Sequence, residues 1–208
     1  MVETTTAGWA VATIDGVRVV PSFATILREN ELIGVDMPVG LPSSWGRAAD
    51  KAARTYIRPR GACVFPTPPR ALLAYDSYDD ANRAAKTLFG TGLTRQTFNL
   101  FTKIRDIDEA IDATSQQRVL EVHPECCFRA MTGTVLPPKR TTLGRARRTE
   151  AIAAFFGPID VSLRGARADD VLDAYAVLWT VLRHQRGESL VLGGDEAAER
   201  GLVMRIVV

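Results

Sequence analysis

Histidine and cysteine are scarce in this chain, with two of the first and three of the second among 208 residues. A disulfide scaffold is excluded, because Cys63, Cys126 and Cys127 cannot all pair. A structural zinc site is not supported either, since "HPECC" and the distant His184 do not give four ligands at a recognised spacing. No stretch approaches the roughly 18 continuous apolar residues of a membrane span, so no membrane partner is expected. Met1 is followed by the polar "VETTT" rather than the basic and then apolar run of a secretory leader. With the unpairable thiols, this leads us to expect a reducing, cytoplasmic location. Strong charge bias is absent as well: 26 Lys and Arg face 24 Asp and Glu, and the net charge of +2 does not by itself announce a nucleic-acid partner. Repeats and low-complexity tracts are missing, and the lack of a clear Gly-rich phosphate loop argues against kinase-like transfer.

What is present is an ordinary globular composition, 46% hydrophobic and 24% charged. The length suits a single domain over residues 1–208. Alternation in "GWAVATIDGVRVVPSF" predicts two strands joined at Asp15-Gly16. "FATILRENE" has helical spacing at Phe23, Ile26 and Leu27, and "ELIGVDMPVGLP" is a buried strand with Asp36 at its carboxyl end. Residues 43–115 read as a mainly helical insertion, interrupted at "VFPTPPR", where three prolines impose an irregular loop. "QRVLEVHPE" is a second buried strand, "GRARRTEAIAAFFG" and "ADDVLDAYAVLWTVLRHQRG" are helices closed by Gly157 and Gly187, and "LVMRIVV" is a last strand or tail. Strands alternating with helices after an antiparallel start predict an α/β fold with a mixed sheet and flanking helices.

The chemistry is concentrated in carboxylates. Asp36 interrupts an apolar run, where a charge needs a partner or a metal, although it could instead cap the turn at Met37 to Gly40. Asp170 and Asp173 stand at i and i+3 in the first turns of a helix, where acids also complement the macrodipole and Asp169 could be the N-cap. In "EVHPECCF", alternation sets Glu121 and His123 on one face and Val122 on the other, until Pro124 ends the strand; Cys126 and Cys127 read as small buried residues. Hard oxygen ligands at strand ends and a helix start suit Mg²⁺ or Mn²⁺, which can activate water for phosphodiester hydrolysis. The basic run "KRTTLGRARR", from Lys139 to Arg148, would hold a nucleic-acid backbone or simply face solvent.

In order and spacing, "GVDMPVGLP", "VFPTPPR", "EVHPECCF", "KRTTLGRARR" and "DDVLDAYAVLW" resemble the predicted RNase H-like nuclease family catalogued as domain of unknown function 429. The resemblance implies an RNase H-like mixed sheet whose first three strands are antiparallel, with the helical insertion at about 43–115. It implies a metal-dependent phosphodiesterase acting on nucleic acid, with Asp36, Asp170, Asp173 and Glu121 in the catalytic set. Family members begin with a strand like "GVDGCPGGW"; aligning Gly8 and Trp9 puts Glu3 where its Asp belongs, so the implied ligands are Glu3, Asp36, Asp170 and Asp173. His123, Glu125, Arg70, Lys139 and Arg140 would line the substrate pocket. The rival expectation is an inactive RNase H-like module that binds a nucleotide, nucleic acid or another phosphorylated ligand in that pocket.

Overall fold

The structure is a computed structural model that describes residues 2–5 through their backbone and residues 8–208 in full. β1 (Val2–Thr5), β2 (Gly8–Thr13) and β3 (Gly16–Val20) form an antiparallel meander. α1 (Phe23–Glu29) follows, with the Ser22 hydroxyl accepting from Thr25 N, and then β4 (Ile33–Val35). Between β4 and β5 (Val119–Glu121) the chain runs through α2 (Ala48–Tyr56), α3 (Tyr78–Phe89), α4 (Arg95–Asn99), α5 (Phe101–Ala110) and short 3-10 turns. α6 (Pro124–Thr132), α7 (Thr142–Phe156) and α8 (Ala168–Gln185) come next, and β6 (Val191–Ala197) and β7 (Val203–Val207) close the chain.

The five-stranded sheet has the order β3-β2-β1-β4-β5, with β4 parallel to both of its neighbours. The expected mixed α/β architecture is therefore present. β6 and β7 pair with each other, and a parallel bridge from Val207 to Val122 joins them to the end of β5. "LVMRIVV" is thus a paired strand rather than a tail. Its partner β6 has one buried residue in seven, so no apolar alternation announces it.

Both faces of the sheet are covered, so β2 is buried along nearly its whole length. Alternation sends Trp9, Val11, Ile33, Val35 and Val119 to a core shared with α1, α3 and α5. It sends Ala10, Ala12, Leu120 and Val122 to a second core with α6, α7 and α8. The second face carries the smaller residues because α8, buried over Val171 to Val181, lies very close to it. At Gly34 an added Cβ would come within 2.7 Å of both Val177 Cγ1 and Val181 Cγ2. The insertion is locked to the first face by Asp106, which accepts from Trp9 Nε1 at 2.7 Å and from Phe23 N at 3.1 Å.

Candidate functional site

The close approach at Gly34 fixes the position of the site. Gly34 faces Val177 and Val181; Asp36, two residues on, continues the same face beyond the carboxyl end of β4. Asp173 precedes Val177 by one helical turn, so α8 runs against β4 and both carboxylates line one cleft. Asp36 is half-buried, and among the described residues no hydrogen bond or ion pair ends on it. The turn-capping alternative is therefore not what Asp36 does. Asp173 is 3% exposed and receives the Lys139 ammonium at 2.7 Å. Burial raises its carboxyl, Lys139 opposes that, and repulsion from Asp36 and Glu125 adds to the rise, leaving it at about 6.

Glu125 anchors the neighbouring loop. Pro124 occupies the first turn of α6 and Glu125 follows it. Arg148, fully buried, donates to both Glu125 oxygens at 2.7 and 2.8 Å and to the Pro137 carbonyl at 2.9 Å. Arg60 donates to the Leu136 and Pro137 carbonyls at 2.8 and 3.0 Å and reaches Glu125 at 3.4 Å. α7 packs against the same loop through Gly144, where a Cβ would meet the Pro138 carbonyl oxygen at 2.0 Å. Lys139 and Arg140 follow directly, so their delivery to the cleft depends on this clamp.

The resulting cleft has a volume of about 530 Å³. Asp36, Asp173, Glu125, His123, Lys139 and Arg140 line it, joined by Arg60, Met37, Phe65, Gln96 and Leu100 from the chain between β4 and β5. His123 Nδ1 is buried there without a hydrogen-bond partner. The last five residues are not among those the sequence points to, because no local pattern marks a side chain between β4 and β5 as a wall of a distant site.

Three expected site residues lie elsewhere. Glu121 points to the sheet face opposite α8, since its neighbours Leu120 and Val122 take the α8 side. There Arg47 grips both its oxygens, and Val39 N donates to it at 2.8 Å. Burial raises the Glu121 carboxyl against the attraction of Arg47; with only N–H donors aimed at it, the carboxylate form is the one served. Arg47 continues to Asp50 at 2.9 Å, and Asp50 accepts from Thr67 N and Thr67 Oγ1 at 2.8 and 3.1 Å. This buried network ties the "VFPTPPR" loop to β5 and sets Phe65 at the cleft. Asp170 caps α8, accepting from Arg167 N at 2.9 Å; the N-cap is Arg167, not Asp169, which is buried beside Arg145. Arg70 is turned to Asp108 at 2.7 Å, in a separate surface depression.

The basic run divides in the same way. Arg148 is buried under Glu125, Arg145 pairs with Asp169 and Arg147 with Glu150, leaving Arg140 exposed on the rim. Cys126 and Cys127 are packed inside. Burial pushes the Cys126 thiol up to about 12 and Cys127 well above the ordinary range, which suits inert core thiols.

Among the described residues, no group of three or more His, Cys, Asp and Glu could hold a metal ion. The side chain of Glu3 lies outside the described residues. Its backbone register sets it opposite Ala10 and one residue beyond the Val2–Val35 pair, on the strand beside Asp36. Asp36, which has no partner among the described residues, and Asp173, which Lys139 holds, are hard oxygen donors, and Mg²⁺ is commonly held by one or two carboxylates with water and substrate oxygens completing the shell. The two residues fit one such ion.

A mixed α/β fold with paired carboxylates in a cleft at strand ends defines the class of protein. Residues 2–198 match the family described as protein of unknown function (DUF429), and the chain belongs to that family. No curated protein and no solved structure matches it. No helix among the described residues is long and apolar enough to cross a membrane.

Proposed function

We propose that this chain is a metal-dependent phosphodiesterase of RNase H-like fold, acting on nucleic acid. The observation that carries this reading is the convergence of an unpartnered Asp36 on a buried Asp173 whose proton affinity is raised. Two carboxylates pressed together without full compensation are costly, and functional sites are where such cost is retained. The strand order β3-β2-β1-β4-β5, with an antiparallel start and parallel β1, β4 and β5, supports the fold assignment. Asp36 and Asp173 would hold Mg²⁺ or Mn²⁺, with Glu3 on the adjacent strand as a third donor. Such an ion, when bound, supplies Lewis acidity and neutralises charge on a phosphoryl oxygen. Arg140 on the rim would hold the substrate phosphate, and the clamp at Glu125 would keep its loop in place.

Calorimetric titration with Mg²⁺ and Mn²⁺, joined to a cleavage screen on labelled single- and double-stranded DNA and RNA, tests the proposal. Both signals are expected in the wild type and neither in Asp36→Asn at unchanged circular dichroism. A wild type that binds no metal and no nucleic acid overturns it. One observation favours the rival module that binds without cutting: the Lys139 ammonium sits on Asp173, where a cation would. Nucleic-acid binding without cleavage, unchanged in Asp36→Asn, would select that reading.

A further inference from the structure

The lining of the cleft is chemically divided. Its acidic and basic groups come from the end of β4, α6, the 136–140 loop and α8, with Arg60 beside them, whereas Met37, Phe65 and Leu100 add an apolar surface. Phe65 and Leu100 are half-buried, each with part of its side chain left against the cleft. Gln96, one helical turn before Leu100, is exposed beside them, and its amide can both donate and accept. Arg140 is exposed, and among the described residues it has no ion-pair partner.

A phosphodiester needs the charged part alone; the apolar part calls for a second, planar and uncharged group on the same ligand. We infer that the cleft takes an unpaired base of a single strand, laid against Phe65 and Leu100 with its edge at Gln96, while the adjoining phosphate faces Arg140. The inference rests on the phosphodiesterase reading and narrows its substrate to single-stranded or locally opened nucleic acid. In a duplex both faces of each base are covered by stacking, so an aromatic wall gains nothing from it; an unstacked base gains a surface. The volume of about 530 Å³ is that of a small-ligand pocket and suits about one nucleotide unit. Phe65 is held in place from behind, through Thr67, Asp50 and Arg47.

Fluorescence anisotropy with the full chain in EDTA, which prevents cutting, tests this with three labelled probes. They are hexathymidylate, a hexamer of abasic tetrahydrofuran units and a hairpin duplex. Hexathymidylate is expected to bind roughly 5- to 100-fold more tightly than the abasic strand, as base–aromatic stacking implies. Phe65→Ala should remove most of that preference and leave the abasic strand's affinity unchanged. Gln96→Ala, a change at an exposed residue, should alter the ranking among thymidylate, adenylate and cytidylate hexamers at unchanged circular dichroism. Equal affinity for hexathymidylate and the abasic strand, or a duplex bound as tightly as the single strand, overturns the inference and leaves the phosphodiesterase reading standing. Binding of no probe, in EDTA or in Mg²⁺, overturns both.

Discussion

Gly34 and Val177 are packed so closely that a methyl group on the first would come within 2.7 Å of Cγ1 of the second. The missing side chain lets α8 lie low enough on β4 for Asp173 to share a cleft with Asp36. Gly34→Ala is therefore expected to cost about 1–3 kcal/mol, the usual range for overpacking. Urea denaturation would measure it, and adding Val177→Ala should recover part of the loss. On the proposed metal-binding reading, metal affinity should also fall with Gly34→Ala, because lifting α8 moves Asp173 relative to Asp36.

Asp173 predicts a pH dependence for the metal-free protein. Its folded value of about 6 lies above the ordinary carboxylate range. Between the unfolded and folded values the native chain holds the extra proton, so stability falls as pH rises through that window and is lowest above it. The shift corresponds to a cost on the order of 3 kcal/mol at neutral pH. Asp173→Asn should thus raise the melting temperature at pH 7 and make little difference near pH 4. Carboxyl NMR should show the neighbours acting in opposite directions: Asp36→Asn lowers the Asp173 titration and Lys139→Met raises it. A shift of the same sign in both would contradict the geometry.

Arg47 is 1% exposed and neutralises two buried acids, Glu121 and Asp50. Arg47→Met leaves both without a cation and should cost about 3–5 kcal/mol, as breaking buried pairs does. Combining it with Glu121→Gln should restore part of the stability. Denaturant midpoints of the single and double variants decide the matter.

Glu125 joins Arg148 and Arg60 to the loop at 136–140. Glu125→Gln keeps the shape and removes the charge, so the clamp weakens while the fold persists. Amide exchange at residues 136–140 should accelerate, with the strands of the sheet unchanged.

Some of this was legible in the chain itself. Asp36 stood out because a lone charge inside "IGVDMP" breaks an apolar run, and that run is β4. The apolar run through Val177, Leu178 and Val181 marks α8, which is buried over Val171 to Val181 with Asp173 inside that span. Asp170 could not be separated from Asp173 by spacing alone. Which of them caps the helix depends on where the helix starts, and boundaries are the weakest part of a sequence reading. Glu121 reads as a site residue because it is a carboxylate at the end of a buried strand, on one face with His123. Its partner Arg47 is 74 residues earlier, beyond any local pattern. The cleft residues Phe65, Gln96 and Leu100 were invisible for the same reason.

The helical stretch between β4 and β5 is fastened to the sheet at several points, among them Asp106 to Trp9 on one strand and Arg47 to Glu121 on another. Cutting it out to obtain a smaller protein would strand an indole and a carboxylate in the interior. A shortened version would need both positions replaced by apolar residues before it could be expected to fold, so this stretch cannot be exchanged as an accessory part.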